Sequence, residues 1–282
     1  MNINELLPTS VETYSAENML SDAAAFTIVR DEPVFLDLWH RHYSRAFASG
    51  NLHVLHHVAS EAECATGPFA DALAKFDPNN VTRLVNADFD PQWLGEVVAL
   101  KQQSLLAAHA AVLFAEVDEL LITDPEAPPL GEYLAAFVAD GSSRAIRCHG
   151  FEIHHDLGSG EPAFDHSKPI LSQRRRWHRN QLYDKTLLSK IVLHWSLGFH
   201  TCNEPATHDP NLVLVHLHKF DFQSYLDRHE ERARFKHADS AVAQGWNTHY
   251  RKTGPALVAQ YMQLPAVLEP VPGWVEAALP GI

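Results

Sequence analysis

Ala111-Val112-Leu113-Phe114-Ala115 runs without a break into Glu116-Val117-Asp118-Glu119. An unbroken apolar run reads as a strand buried on both faces, and the carboxylates mark its exit. Such strands belong to sheets covered by helices, and in open α/β sheets ligands gather at the C-terminal strand ends. The stretch therefore predicts an α/β fold and also where its site lies. Glu116 and Asp118 are two positions apart, so at a strand end their side chains share one side. Paired carboxylates there suit a hard divalent cation such as Mg2+ or Mn2+. A pair of solvated carboxylates at a strand exit gives the same pattern.

Upstream, Ala24 to Val29 (AAFTIV) reads as a strand. Glu32 to Phe47 carries Phe35, Leu38, Trp39, Tyr43 and Phe47 at helical spacing, and Leu52 to Val58 (LHVLHHV) reads as a second strand. Strand, helix and strand open a parallel sheet. Val81 to Val85 is a third strand, and a helix over Pro91 to Ala110 delivers the chain to Ala111. Downstream, Asp124-Pro125 breaks the chain, Leu130 to Ala139 is helical and Arg144 to Ile153 is a strand. Residues 156 to 185, rich in Gly, Pro, Arg and Lys, read as a long functional loop. Val213 to His218 is another strand, and Phe220 to Phe235 alternates charge like a solvated helix.

Lys plus Arg is 22 against 35 for Asp plus Glu, a formal net charge of −13, which argues against a nucleic-acid-binding face. Cys64, Cys148 and Cys202 are too scattered for a disulfide framework or a cysteine zinc site. The first twenty residues lack a basic segment followed by an apolar run, and no stretch approaches the roughly 18 apolar residues that span a bilayer. A cytoplasmic protein without a transmembrane segment is expected. Histidine is unusually frequent, at 19 residues, with close groupings at His56-His57, His154-His155 and His216-Leu217-His218. These are core and surface imidazoles or, at a few positions, metal or proton chemistry.

Several segments in order resemble the family 2-like glycosyltransferases. Val29-Arg30-Asp31-Glu32, then Phe35-Leu36-Asp37-Leu38-Trp39, then the strand LHVLHHVAS look like their N-terminal signature. AVLFAEVDELLITDP is similar to their metal-motif segment. Tyr183-Asp184-Lys185-Thr186-Leu187, Trp195 to His200, and Val215 to Asp221 are similar to later ones. The resemblance spans residues 24 to 235. It implies a GT-A-type fold, a Rossmann-like mixed sheet flanked by helices with a C-terminal helical extension. It also implies an N-terminal extension (1–22), a nucleotide-sugar-binding half (23–124), an acceptor-binding half (125–220) and a C-terminal helical region (221–282).

The same resemblance implies Asp118 as metal ligand, with Glu116 where an aspartate is usual, and His200 or the rival His218 reaching the metal. Lys185 would face the diphosphate. Asp31 and Glu32 either line the nucleotide pocket or cap the following helix. Ser60 or Glu61 stands where an aspartate would read the base. A general base is sought among Glu152, Asp156 and Asp165, with Asp156 preferred and His154 and His155 as further candidates. Arg174-Arg175-Arg176 with Arg179 is a solvated face or an anion grip. Trp177 and Trp195 are core or sugar-stacking aromatics. The implied reaction uses Mn2+ or Mg2+ and a nucleotide-sugar, UDP-linked first. It passes the sugar, with inversion, to a glycan or lipid-linked acceptor hydroxyl, as in polysaccharide biosynthesis. A metal-dependent hydrolase and a non-catalytic binding module of the same fold are the alternatives.

Overall fold

The structure is a computed structural model that describes residues 22–246, 248–263 and 267–282. The expected N-terminal extension lies outside the described residues except for Asp22. Strand β1 (Ala23–Val29) leads through helix α1 (Pro33–Tyr43) to β2 (Leu52–Val58). The chain continues through α2 (Gly67–Leu73) to β3 (Val81–Val85), then through α3 (Pro91–Leu106) to β4 (Ala111–Phe114). β1 pairs in parallel with both β2 and β4, and β2 with β3, so the strand order is β3–β2–β1–β4. The winding direction reverses between β1 and β4, and their C-terminal ends flank a crevice of the kind in which α/β sheets bind ligands.

The apolar reading of these strands follows from coverage on both faces. Ala23, Ala25 and Val29 of β1 pack into one core with Trp39 of α1, while Ala24 and Phe26 pack into a second with Val98 of α3. Phe26 stacks on Phe114 of β4 at a ring separation of 4.9 Å. At the start of α3, proline and a cap set the boundary. Asp90 accepts from the backbone of Gln92 and Trp93, and Pro91 occupies the first turn of α3.

The chain then forms β5 (Glu119–Thr123), α4 (Leu130–Ala139), β6 (Ala145–His154), α5 (Ile170–Gln173), β7 (Arg176–Arg179), β8 (Thr186–Ser189) and β9 (Thr207–Lys219). β8 lies antiparallel between β4 and β6 and joins the two expected halves into one mixed sheet. β9 runs parallel to β6 and antiparallel to β5. Helices α6 (Phe222–Ala233), α7 (Asp239–Ala243) and α8 (Gly254–Tyr261), strand β10 (Glu269–Pro270) and α9 (Gly273–Ala278) follow. Here the C-terminal helical region includes a strand, β10, which adds to the edge at β7. Val271, Val275, Leu279 and Ile282 fold back into the main core. Among the described residues no helix is long and apolar enough to cross a membrane.

Two sequence expectations change. Residues 156 to 185 are not one loop, since α5 and β7 fall within them. Arg174 is fully buried there, with its Nη2 2.7 Å from Asp221 Oδ2, whereas Arg175 is exposed and pairs with Glu276, so the basic run divides between core and surface. Helix α6 is not a solvated helix: Tyr225, Arg228 and His229 are buried along one stripe.

Buried imidazoles make the fold sensitive to acid. His42 donates from Nε2 to the Leu121 carbonyl at 2.8 Å, tying α1 to β5. Burial, partly offset by that bond, lowers its pKa to about 4. Burial, aided by Lys101 and His109, lowers His53 to about 4 as well. Between pH 6.5 and 4 the unfolded chain takes up a proton at each position that the folded chain refuses. Stability therefore rises with pH through that window and is lost on acidification. Urea unfolding at steps across it should show a loss of about 1.4 kcal/mol per pH unit for each of these histidines. His42→Gln should remove its share of the slope. A flat profile would contradict neutral burial.

Candidate functional site

A cavity of about 710 Å³ opens at the C-terminal ends of β1 and β4. β1 sends Arg30, Asp31 and Glu32 into it, and the exit of β4 sends Glu116 and Asp118. The far wall comes from His216 and His218 of β9 and from Arg228 and Arg232 of α6. Leu197 to His200 closes one side, with Gly198 at φ 72 and Phe199 at φ 59. A positive φ at a bulky residue is rare and costly, and here it lies in the wall of the cavity.

Each carboxylate of the β4 exit already has a cation. Lys185 Nζ lies 2.6 Å from Glu116 Oε2 and 2.5 Å from Glu119 Oε1, and the side chain is almost fully buried. Burial opposes the Lys185 charge, but Glu116 and Glu119 outweigh it and raise its pKa. Arg228 donates from Nη2 to Asp118 Oδ2 at 2.8 Å, and the same nitrogen is 2.6 Å from Glu32 Oε2. Arg232 donates to the other Glu32 oxygen at 2.9 Å. Burial alone would raise the Asp118 pKa, but Arg228 at contact distance holds it well below the usual carboxylate range. Glu32 makes no side-chain cap on α1, because both its oxygens face these arginines.

Strand register organises the floor. His216 of β9 stands opposite Glu119 of β5 on one side and Glu152 of β6 on the other, and Glu152 stands opposite His178 of β7. Cross-strand partners point to the same face, so Glu119, His216, Glu152 and His178 form one row. His216 Nδ1 is 3.3 Å from Glu152 Oε1, and its Nε2 is 3.7 Å from Asp118 Oδ1. Burial works against Glu152, yet the His216 hydrogen bond and Lys219 lower its pKa, so it is ionised and accepts the Nδ1 proton. Nε2 of His216 lies on the cavity side, toward Asp118. Tyr183 covers the ring at 3.9 Å.

The sequence candidates separate into three groups. Asp31, Glu32, Glu116, Asp118, Lys185, His200 and His218 all line the cavity. They do not gather as a metal-ligand set: His200 Nδ1 bonds the Leu182 carbonyl, and His218 Nδ1 accepts from Arg228 at 3.4 Å. Glu152 lies behind the wall, fully buried. Ser60, Glu61 and Asp156 lie apart from the cavity lining; Arg83 binds the Ser60 carbonyl and the Glu61 carboxylate, and Arg176 is 3.9 Å from Asp156. Among the described residues, the His, Cys, Asp and Glu side chains close enough to share an ion are Glu152, His154 and His178. The charged cavity residues to which the sequence reading gave no role include Arg228 and Arg232, and His216 entered it only within the histidine grouping at 216–218. Tyr225, Arg228, His229 and Arg232 fall at helical spacing, a mixed aromatic and basic stripe that could have marked α6 as a wall.

No family model matches the chain, and no curated protein matches it. Among solved structures it is similar to TarS 1-349 from S. aureus, at 12% identity over 75% of this chain and 63% of that one, with a TM-score of 0.38. It is similar to the mannosyltransferase PcManGT from Pyrobaculum calidifontis in complex with GDP-Man and Mn2+, at 11% identity over 85% and 69%, TM-score 0.41. It is also similar to the mannosyltransferase Ktr4p from S. cerevisiae, at 8% identity over 49% and 42%, TM-score 0.24. The chain thus spans under two thirds of the TarS fragment. Likenesses of this size assign no activity.

Tyr183 reaches His216 because β6 carries glycine beneath it. A Cβ on Gly150 would fall 2.4 Å from the Tyr183 carbonyl carbon, a backbone atom that cannot rotate away. Gly150→Ala should therefore cost at least about 1–3 kcal/mol of unfolding free energy by overpacking. Gly141→Ala, where nothing lies within 4 Å, should stay within about 0.5 kcal/mol. Equal effects in chemical denaturation would refute the close approach.

Proposed function

We propose that the chain is a glycosyltransferase that takes its sugar from a nucleoside diphosphate. The observation that carries this reading is the cavity at the β1/β4 switch point, where acidic strand exits meet Arg228 and Arg232 of α6. Guanidinium forks suit phosphate oxygens. The nucleobase end falls between Arg30, His57 and the aromatic wall of Phe89 and Phe235, with the Arg30 guanidinium 4.0 Å from the Phe235 ring centre. UDP is the first nucleotide to test, and a glycan or lipid-linked hydroxyl is the acceptor class.

The family resemblance implies Mn2+ or Mg2+ on Glu116 and Asp118. Those carboxylates do not fit that role as arranged, because Lys185 and Arg228 already neutralise them. No step here is routed through an ion. The acceptor oxygen attacks the anomeric carbon, the bond from that carbon to the diphosphate breaks, and the electron pair leaves with the diphosphate. Arg228 and Arg232 meet the charge that develops there. The hydroxyl proton passes to His216 Nε2. Glu152 orients that ring from behind and stabilises the imidazolium, in the logic of a carboxylate–histidine pair. Glu152 is a positioning residue, since it does not line the cavity and acts through His216.

Calorimetry with UDP and GDP, repeated in EDTA, tests the donor site. Binding should survive the chelator, and Arg232→Gln should weaken it roughly ten- to a hundredfold, the worth of a hydrogen bond to a charged group. If no nucleoside diphosphate binds, the transferase reading fails. His216→Asn should keep that affinity and lower kcat for release of nucleoside diphosphate from the matched donor by about 10²–10⁴. An unchanged kcat would remove His216 from the chemistry.

A further inference from the structure

Behind the cavity, β6 and β7 bring three metal-ligating side chains to one point. Glu152 and His154 are two apart on β6 and share a face, and His178 stands opposite Glu152 on β7. One ligand atom from each lies within 4.8 Å of the other two, and His178 Nε2 is 3.6 Å from Glu152 Oε2. All three side chains are buried, Glu152 and His154 completely. Neither ring nitrogen of His154 has a hydrogen-bond partner, nor has Nδ1 of His178 or Oε2 of Glu152. A buried polar atom left unpaired costs roughly 1–3 kcal/mol, so several in one place call for an explanation.

We propose that Glu152, His154 and His178 bind a divalent transition-metal ion of the Zn2+ class. Two imidazoles and one carboxylate are a donor set that such ions favour, whereas Mg2+ and Ca2+ prefer oxygen. Bonds of about 2.1 Å around a tetrahedral ion put donors roughly 3.4 Å apart, so only small rotations separate the present arrangement from a ligating one. Burial disfavours a proton on His154 and on His178, the direction that favours neutral imidazoles. The other charge facing the site is Lys219, whose Nζ is 3.7 Å from Glu152 Oε2; Lys219 also lines the cavity, into which it can turn. Tyr261 packs on the His154 ring at 4.8 Å and holds it through bonds to the His155 and Lys219 carbonyls.

The ion would pin β6 to β7 and fix Glu152, whose Oε1 remains on His216. This inference does not depend on the transferase reading, because its readout needs no nucleotide. The full chain, stripped with chelator, exposed to Zn2+ and passed through a desalting column, should retain one equivalent by elemental analysis. Co2+ in place of Zn2+ should give the visible absorption of a low-coordinate nitrogen and oxygen site. His154→Gln and His178→Gln should each weaken Zn2+ binding by more than the ~100-fold that loss of a second-shell partner costs, whereas Asp118→Asn should keep the equivalent. Absence of stoichiometric metal in the wild-type chain overturns the site and leaves a buried water as the partner of these nitrogens. Retention of metal in both histidine variants overturns it too.

Discussion

Burying carboxylates is the constraint on which the rest of this molecule depends. Glu119 and Glu152 have no exposed surface and Asp118 has almost none. An ionised carboxylate is expensive to take out of water unless a partner of opposite charge and good geometry goes with it. The fold supplies one to each: Lys185 to Glu119, Arg228 to Asp118, and His216 with Lys219 to Glu152. Those partners come from segments far apart in the chain, so satisfying them fixes where β8, β9 and α6 must lie. Gly150 follows from the same demand, since the turn that delivers Lys185 has to pass over β6 with Tyr183 in contact.

This pairing alters what an acidic strand exit means. In a sequence, Glu116-Val117-Asp118-Glu119 invites a cation from outside. In the folded chain the cations are side chains, and removing one member of such a buried pair costs about 3–5 kcal/mol because the other is left uncompensated. A divalent ion arriving at Asp118 would have to displace Arg228, which also binds Glu32. The arginines therefore hold two positions at once: they stabilise the empty cavity through Asp118 and Glu32, and they are the groups an incoming anion would engage. A diphosphate competes with carboxylates already in place for the same guanidinium groups.

β1, β2 and β4 were legible because they are covered on both faces and are buried almost throughout, with apolar residues predominating. The acidic exit of β4 was legible for the reason that makes switch points general, that strand ends in such sheets face a crevice. β5, β7 and β8 were not legible. They are five, four and four residues long, and β7 reads Arg-Trp-His-Arg, where no alternation of apolar and polar residues survives. Their pairing is set by partners that the sequence keeps far away. Helix α6 misled in a different way. Its inward stripe is Tyr225, Arg228, His229 and Arg232, which looks solvated until Asp118 and Glu32 are placed against it. Polar residues that face a charged cavity are indistinguishable, on one helix alone, from polar residues that face water.

Two of the histidines, His216 and His178, lie in the row across β5, β9, β6 and β7. A lysine presents one charged head, but an imidazole presents two nitrogens on opposite sides of a flat ring. His216 turns Nδ1 to Glu152 of β6 and Nε2 toward the cavity beside Asp118. Glu152 then repeats the arrangement with its two oxygens, Oε1 toward His216 and Oε2 toward His178. Each group in the row is oriented by the next, and the sheet backbone fixes the spacing between them. A rotation of Glu152 toward an ion at His154 and His178 would thus turn the imidazole that lines the cavity. Glu152 stands between the buried triad and the pocket, with one oxygen toward each.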